Sequence, residues 1–117
     1  MSEKILKING VSVVDIAQKC GTPIMVYDED KITKKMTSFI ECFKSDEFTT
    51  KVLYASKAFS CQAIYKLAAK ANMCVDVVSG GELATAKAAN FPMDRVYFHG
   101  NNKTHDEIKM AFDLEIG

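Results

Sequence analysis

Apolar residues in this chain fall alternately into short unbroken runs and helix-spaced stripes, the pattern of strands interleaved with helices. An opening segment holds Ile5, Leu6 and Ile8 as a short strand. Ser12 then caps a helix over Val13 to Lys19, stopped at Gly21. Pro23 opens an extended run, Ile24-Met25-Val26-Tyr27, and Asp28 or Asp30 can cap a helix with Ile32, Met36, Phe39, Ile40 and Phe43 on one face. A strand follows at Lys51 to Ser56, then a helix from a Ser60 cap with a stripe of Ala63, Ile64, Leu67, Ala68 and Ala71. Cys74 to Val78 reads as a strand, Gly80-Gly81 as a turn and Glu82 to Asn90 as an alanine-rich helix. Arg95 to Phe98 is a further strand, Thr104 caps a helix to Asp113, and Leu114-Glu115-Ile116 approaches another strand.

Strands and helices recurring about every 20 residues imply βαβ units and a parallel sheet covered by helices. An open doubly wound sheet and a (β/α)₈ barrel share this alternation, and in both the function sits at the carboxyl ends of the strands. The phenylalanine and methionine faces (Met36, Phe39, Phe43; Met110, Phe112) read as packing stripes.

Composition narrows the class. The 117 residues are 48% hydrophobic, enough for one modest core, and fifteen acidic residues balance fifteen basic ones. No basic arm or overall field favours nucleic acid or an anionic membrane, and small-molecule chemistry fits better. No apolar run approaches the roughly 18 residues of a membrane span and no secretory signal opens the chain, so the default compartment is cytoplasmic. Cys20, Cys42, Cys61 and Cys74 form no C-x-x-C pair; they read as reduced structural thiols, with neither a metal site nor a disulfide framework.

Chemistry collects at three successive strand ends. Lys57 closes Tyr54-Ala55-Ser56-Lys57-Ala58 just before a helix start, where it is either a solvated end residue or an amine able to form a Schiff base with an aldehyde such as pyridoxal phosphate. Asp76 lies within an apolar strand, where a carboxylate is costly to bury alone; Lys57 across the rim, a backbone amide or a structural ion pair could each be its partner. Ser79-Gly80-Gly81-Glu82 is either a strand-to-helix turn or an anion site at a helix start. His99 is either a hydrogen-bonded structural residue or a base, and His105 reads as helix surface.

Val52 to Phe59, Val75 to Leu83, Phe91-Pro92 and Phe98 to Lys103, in this order and spacing, closely resemble the diaminopimelate decarboxylase branch of the fold type III, alanine-racemase-like pyridoxal phosphate enzymes. The tyrosine-alanine-x-lysine strand is shared across that wider group. The Ser79 to Glu82 and His99 to Lys103 motifs look particular to the branch. The resemblance implies an α/β fold, the amino-terminal part of a (β/α)₈ barrel truncated after about three to four βα units, since a whole barrel takes roughly 250 residues. Residues 1–22 would be a strand and short helix associated with a β-domain outside the chain, and residues 23–117 the first units of the pyridoxal-phosphate-binding barrel. Lys57 matches the lysine that carries pyridoxal 5'-phosphate, and Asp76 an aspartate near both. The implied reaction is a carboxy-lyase step of lysine biosynthesis, meso-2,6-diaminopimelate to L-lysine and carbon dioxide, in a homodimer; the truncated chain is expected to be inactive and to self-associate through its open edge. Two other readings compete: another fold type III enzyme (ornithine or arginine decarboxylase, or an amino-acid racemase), and a non-catalytic self-associating α/β module.

Overall fold

Asn9 and Gly10 both carry left-handed backbone, φ 46° and 81°, the conformation that a two-residue hairpin turn of this hand requires. They join β1 (Lys7–Ile8) to β2 (Val11–Ser12) as an antiparallel pair, with Lys7 opposite Ser12 and Ile8 opposite Val11. The expected opening strand is therefore a small hairpin. The computed structural model describes residues 5–117, and the first four residues of the expected segment 1–22 lie outside them. Ser12 caps α1 (Val13–Cys20) as expected, its hydroxyl accepting from the N–H groups of Val14 and Asp15, and Gly21 at φ 79° ends the helix. Ile24 to Tyr27 lie outside the strands of both described sheets. Asp28 supplies the cap of α2 (Glu29–Cys42), accepting from the Lys31 N–H at 3.0 Å.

The chain divides into two compact units, one up to Ile32 and one from Thr33 on. The second contains a three-stranded parallel sheet, β3 (Leu53–Ala55), β4 (Cys74–Val77) and β5 (Val96–Phe98), in that order. The connecting helices are α3 (Gln62–Lys70) and α4 (Gly80–Ala88), and α5 (His105–Asp113) follows β5. Register sets Leu53 beside Cys74, Ala55 beside Asp76, Val75 beside Val96, and Asp76 beside Tyr97. Because side chains alternate across a strand, Val75, Val77 and Val96 share one face and all three are fully buried. α3 packs on β4 and on α4, and α4 on α5. Ile64, Tyr65, Ala68, Leu83 and Ala86 complete this core, with the Tyr65 and Phe91 rings edge to face at 6.1 Å. The opposite face carries Leu53, Ala55, Cys74, Asp76 and Tyr97, and only Cys74 of these is buried.

The three helices α3, α4 and α5 end by one device. Asn72, Asn90 and Glu115 stand in left-handed conformation just past α3, α4 and α5. The N–H of each following residue, Met73, Phe91 and Ile116, reaches back to the carbonyl of Ala68, Ala86 and Ala111. Met73 and Phe91 are buried as the chain turns toward β4 and β5. Leu114-Glu115-Ile116 thus form the end of α5.

Other expectations also shift. Ser60 does not cap α3; Cys61 occupies the cap position and offers no side-chain bond. The α3 stripe turns Tyr65 inward and leaves Ala63 exposed. Gly80 and Gly81 open α4 instead of forming a turn before it. Of the supposed packing stripes only Met36 is buried, and Phe112 is 80% exposed. Cys74 alone of the four thiols is buried. Replacing Leu83 with Ala should cost about 2–4 kcal/mol of unfolding free energy in a urea titration, while Phe112→Ala should change it by less than about 0.5 kcal/mol.

Candidate active site at the strand ends

After β3 the backbone tightens into a single 3-10 turn, Ser56–Ala58, closed by the Phe59 N–H donating to the Ser56 carbonyl at 3.0 Å. Lys57 sits in the middle of that turn and is exposed. Ser56 before it is fully buried. Lys57 follows Ala55 by two positions, past the end of β3, and it lines the same recess as His99, whose ring contacts Asp76.

The ladder between β4 and β5 runs one bond further, from the His99 N–H to the Val77 carbonyl at 3.0 Å. His99 therefore leaves the strand beside Asp76, and its Nδ1 lies 3.3 Å from Asp76 Oδ2. The group in contact with Asp76 is this histidine, not Lys57. Asp76 Oδ1 is buried with no hydrogen-bond partner among the described residues. Lys57, Val78, His99, Gly100, Asn101, Asn102 and Lys103 line one open recess of about 630 Å³. Gly100 at φ 136° takes backbone that a side chain would strain, and its carbonyl accepts from Lys103 Nζ at 2.6 Å. At the other end of the same face Lys51 Nζ donates to the Tyr97 hydroxyl at 2.6 Å, which raises the lysine's pKa.

Under this rim lies a buried polar cluster that sequence reading treated only as an acidic first turn. Glu82 is 7% exposed. Its Oε1 lies 2.7 Å from Ser56 Oγ, and its Oε2 accepts from the Val78 N–H at 3.1 Å and from Ser79 Oγ at 2.9 Å. Ser56 Oγ is also 3.0 Å from the Asp76 carbonyl. Tyr65 borders the cluster; burial raises its pKa, with Ser56 acting in the opposite direction. A glutamate three residues after a serine cap was the available signal, but the long-range partner Ser56 was not readable.

The glycine pair does not await an outside anion at Gly80. The Gly80 N–H donates to Glu107 Oε1 at 2.9 Å, so the start of α4 is occupied by the protein's own carboxylate. A Cβ on Gly80 would come within 3.1 Å of Glu107 Cγ, a tight contact that the Glu107 side chain would have to yield to. Glu107 Oε2 accepts from the Thr104 N–H and hydroxyl, completing the capping box of α5. Among the described residues no cluster of three or more His, Cys, Asp or Glu could hold a metal ion, and no helix is long and apolar enough to cross a membrane.

Residues 29–117 match the model of the pyridoxal-dependent decarboxylases, at the pyridoxal binding domain. The chain belongs to that family. It is 48% identical over 112 residues to the diaminopimelate decarboxylase of Bacillus subtilis strain 168, an alignment covering 96% of this chain and 26% of that protein. With the enzyme of Staphylococcus aureus strain COL the identity is 46%, over 96% of this chain and 27% of the other. The chain spans about a quarter of the length of the curated relatives it matches. The crystal structure of diaminopimelate decarboxylase from M. jannaschii superposes with a TM-score of 0.91 at 38% identity, over 99% of this chain and 28% of that one. That of the Helicobacter pylori enzyme complexed with L-lysine gives 0.80 at 33%, over 88% and 26%. The α/β arrangement is thus that of the corresponding part of these decarboxylases.

The hydrogen bonds from the Thr104 and Gly80 N–H groups, followed by the Thr104 hydroxyl, hold the Glu107 carboxyl below the usual glutamate pKa. A folded-state pKa below the unfolded one gives stability that is present above the unfolded value, about pH 4.3, and is lost as pH falls through the folded value. Glu107→Gln should therefore melt at a lower temperature than the unaltered chain at neutral pH. The difference should shrink as the pH is taken below about 4, read by thermal denaturation across a pH series.

Proposed function

We propose that this chain is the amino-terminal part of a pyridoxal-phosphate-dependent decarboxylase that converts meso-2,6-diaminopimelate to L-lysine and carbon dioxide. The observation that carries this reading is the meeting of Lys57, His99 and Asn101 to Lys103 around one recess at the strand carboxyl ends, beside Asp76, in a member of this family. Solved relatives complexed with L-lysine support the amino-acid product.

The residues fit the cofactor. Lys57 offers a primary amine to the recess for the aldehyde to condense with. Asp76 Oδ1 is a buried acceptor without a partner among the described residues, suited to a cationic or N–H group. His99 engages the other carboxylate oxygen and so fixes which one is left free. Pyridoxal phosphate, when bound, supplies a ring that accepts the electrons of the breaking carbon–carboxylate bond.

The same reading makes the three strands part of a (β/α)₈ barrel. In such a barrel one strand face meets the helices and the other lines the interior, with reacting groups at the carboxyl end. Burial of Val75, Val77 and Val96 against helices, and the opposite placement of Asp76 and Tyr97, support that division. Residues 1–22 are assigned to association with a β-domain, and the complete enzyme to a cytoplasmic homodimer.

Three strands close no barrel, so the 117-residue chain should take up the aldehyde without decarboxylating. Treatment with stoichiometric pyridoxal phosphate, borohydride reduction and peptide mapping should place most of the label on Lys57, and Lys57→Ala should abolish that peptide's label. Label spread evenly over the surface lysines would overturn the assignment. Among the described residues β3 and β5 each keep one edge unpaired, which favours self-association. Sedimentation velocity at micromolar concentration should show a dimer or larger species; a monodisperse monomer would count against it.

A further inference from the structure

The Ser/Thr-x-x-Glu pattern occurs at the start of two helices, and the two copies are used differently. At α5, Glu107 Oε2 turns back to the N–H of its own cap residue, Thr104. At α4, the N–H of Glu82 finds the Ser79 hydroxyl as a cap requires, but the Glu82 carboxylate passes the Ser79 N–H. It bonds instead to the Val78 N–H and, 26 residues back along the chain, to Ser56. Capping alone does not call for this, because Ser79 already serves the helix start. Burying a carboxylate is costly unless donors match it. Here the donors come from the turn that carries Lys57 and from the strand end next to Asp76.

We propose that Glu82 is a positioning residue for Lys57. Through Ser56 it fixes the 3-10 turn on which the lysine stands; through Val78 and Ser79 it locks that turn to the end of β4. Ser56 has one proton and two acceptors in reach, Glu82 Oε1 at 2.7 Å and the Asp76 carbonyl at 3.0 Å, so the same hydroxyl touches both strand ends. Lys57 itself is exposed on a flexible stem, and among the described residues no hydrogen bond or ion pair holds its amine. Its placement therefore depends on its backbone. The inference rests on Lys57 being the reactive amine, but the geometry can be tested apart from that.

Hydrogen exchange of the Phe59 amide, whose bond to Ser56 closes the turn, reports the turn directly. It should be followed by NMR in the unaltered chain, in Glu82→Ala, Glu82→Gln and Ser56→Ala, and in Thr104→Ala as a control that loosens a helix cap without removing any hydrogen bond of Ser56 or Glu82. Glu82→Ala and Ser56→Ala should accelerate Phe59 exchange by about tenfold or more beyond the control compared at equal distance from its melting temperature. Glu82→Gln, which keeps the shape and one acceptor oxygen, should fall between. The share of pyridoxal phosphate label on Lys57 should drop in step. If Phe59 exchange in both alanine variants merely tracks Thr104→Ala, the positioning role is wrong; if Glu82→Ala does not fold, Ser56→Ala decides. An unaltered chain that labels no lysine selectively would overturn the cofactor assignment, while the exchange rates would still decide the role of Glu82.

Discussion

Everything at the candidate site depends on β4 being hydrogen-bonded on both sides. As the middle strand it fixes the register of β3 and β5, and the two-residue pleat then sorts its side chains without further choice. Val75 and Val77 go to the helices; Cys74 and Asp76 go to the other face. Because all three strands run the same way, their carboxyl ends coincide. Residues that follow them in sequence by a few positions, Lys57, Val78 and His99, therefore line one recess although more than 40 residues of chain separate the first from the last. A one-residue slip of β4 would turn Asp76 into the core and Val75 out, so the apolar packing also sets the orientation of the site.

The two helix starts at this end show how the molecule treats electropositive backbone. An unpaired helix N-terminus attracts anions, and α4 begins beside the recess. Its first N–H is nevertheless taken by Glu107 and the N–H before its cap by Glu82. The protein's own carboxylates thus occupy donors that a phosphate could otherwise use. What remains open to the recess is the Lys57 amine, the His99 ring and the polar groups of Asn101 and Asn102.

Much of this was legible in sequence, for physical reasons that differ by element. The parallel sheet was readable because β3, β4 and β5 each combine an apolar run with a helix whose cap or stripe is local, Thr104 and its capping box being the clearest case. The Asn9-Gly10 turn was an equally local signal that the reading passed over, and the hairpin was missed with it. The Ser60 cap failed because the 3-10 turn at Ser56–Ala58 delays the helix, and turns of that kind depend on what holds Ser56 from outside. Site residues at strand ends followed from topology, so Lys57, Asp76 and His99 could be brought together before any coordinates. Their pairings could not: the Asp76 contact to His99 and the Glu82 contact to Ser56 are set by side-chain directions across strands, which composition and spacing do not encode.

Asp76 also shows why a strand can tolerate a polar residue in an apolar run. An unsatisfied buried acceptor costs about 1–3 kcal/mol, and Asp76 Oδ1 is such an acceptor among the described residues. The neighbours that share its strand, Val75 and Val77, are both fully buried, and burying a side chain of that kind is worth about 1.5–3 kcal/mol each. The gain on the helix face thus exceeds the loss on the other. The acceptor can stay without a partner because the strand is anchored from behind by Val75 and Val77 and on both sides by its neighbours, so the carboxylate keeps its place without one.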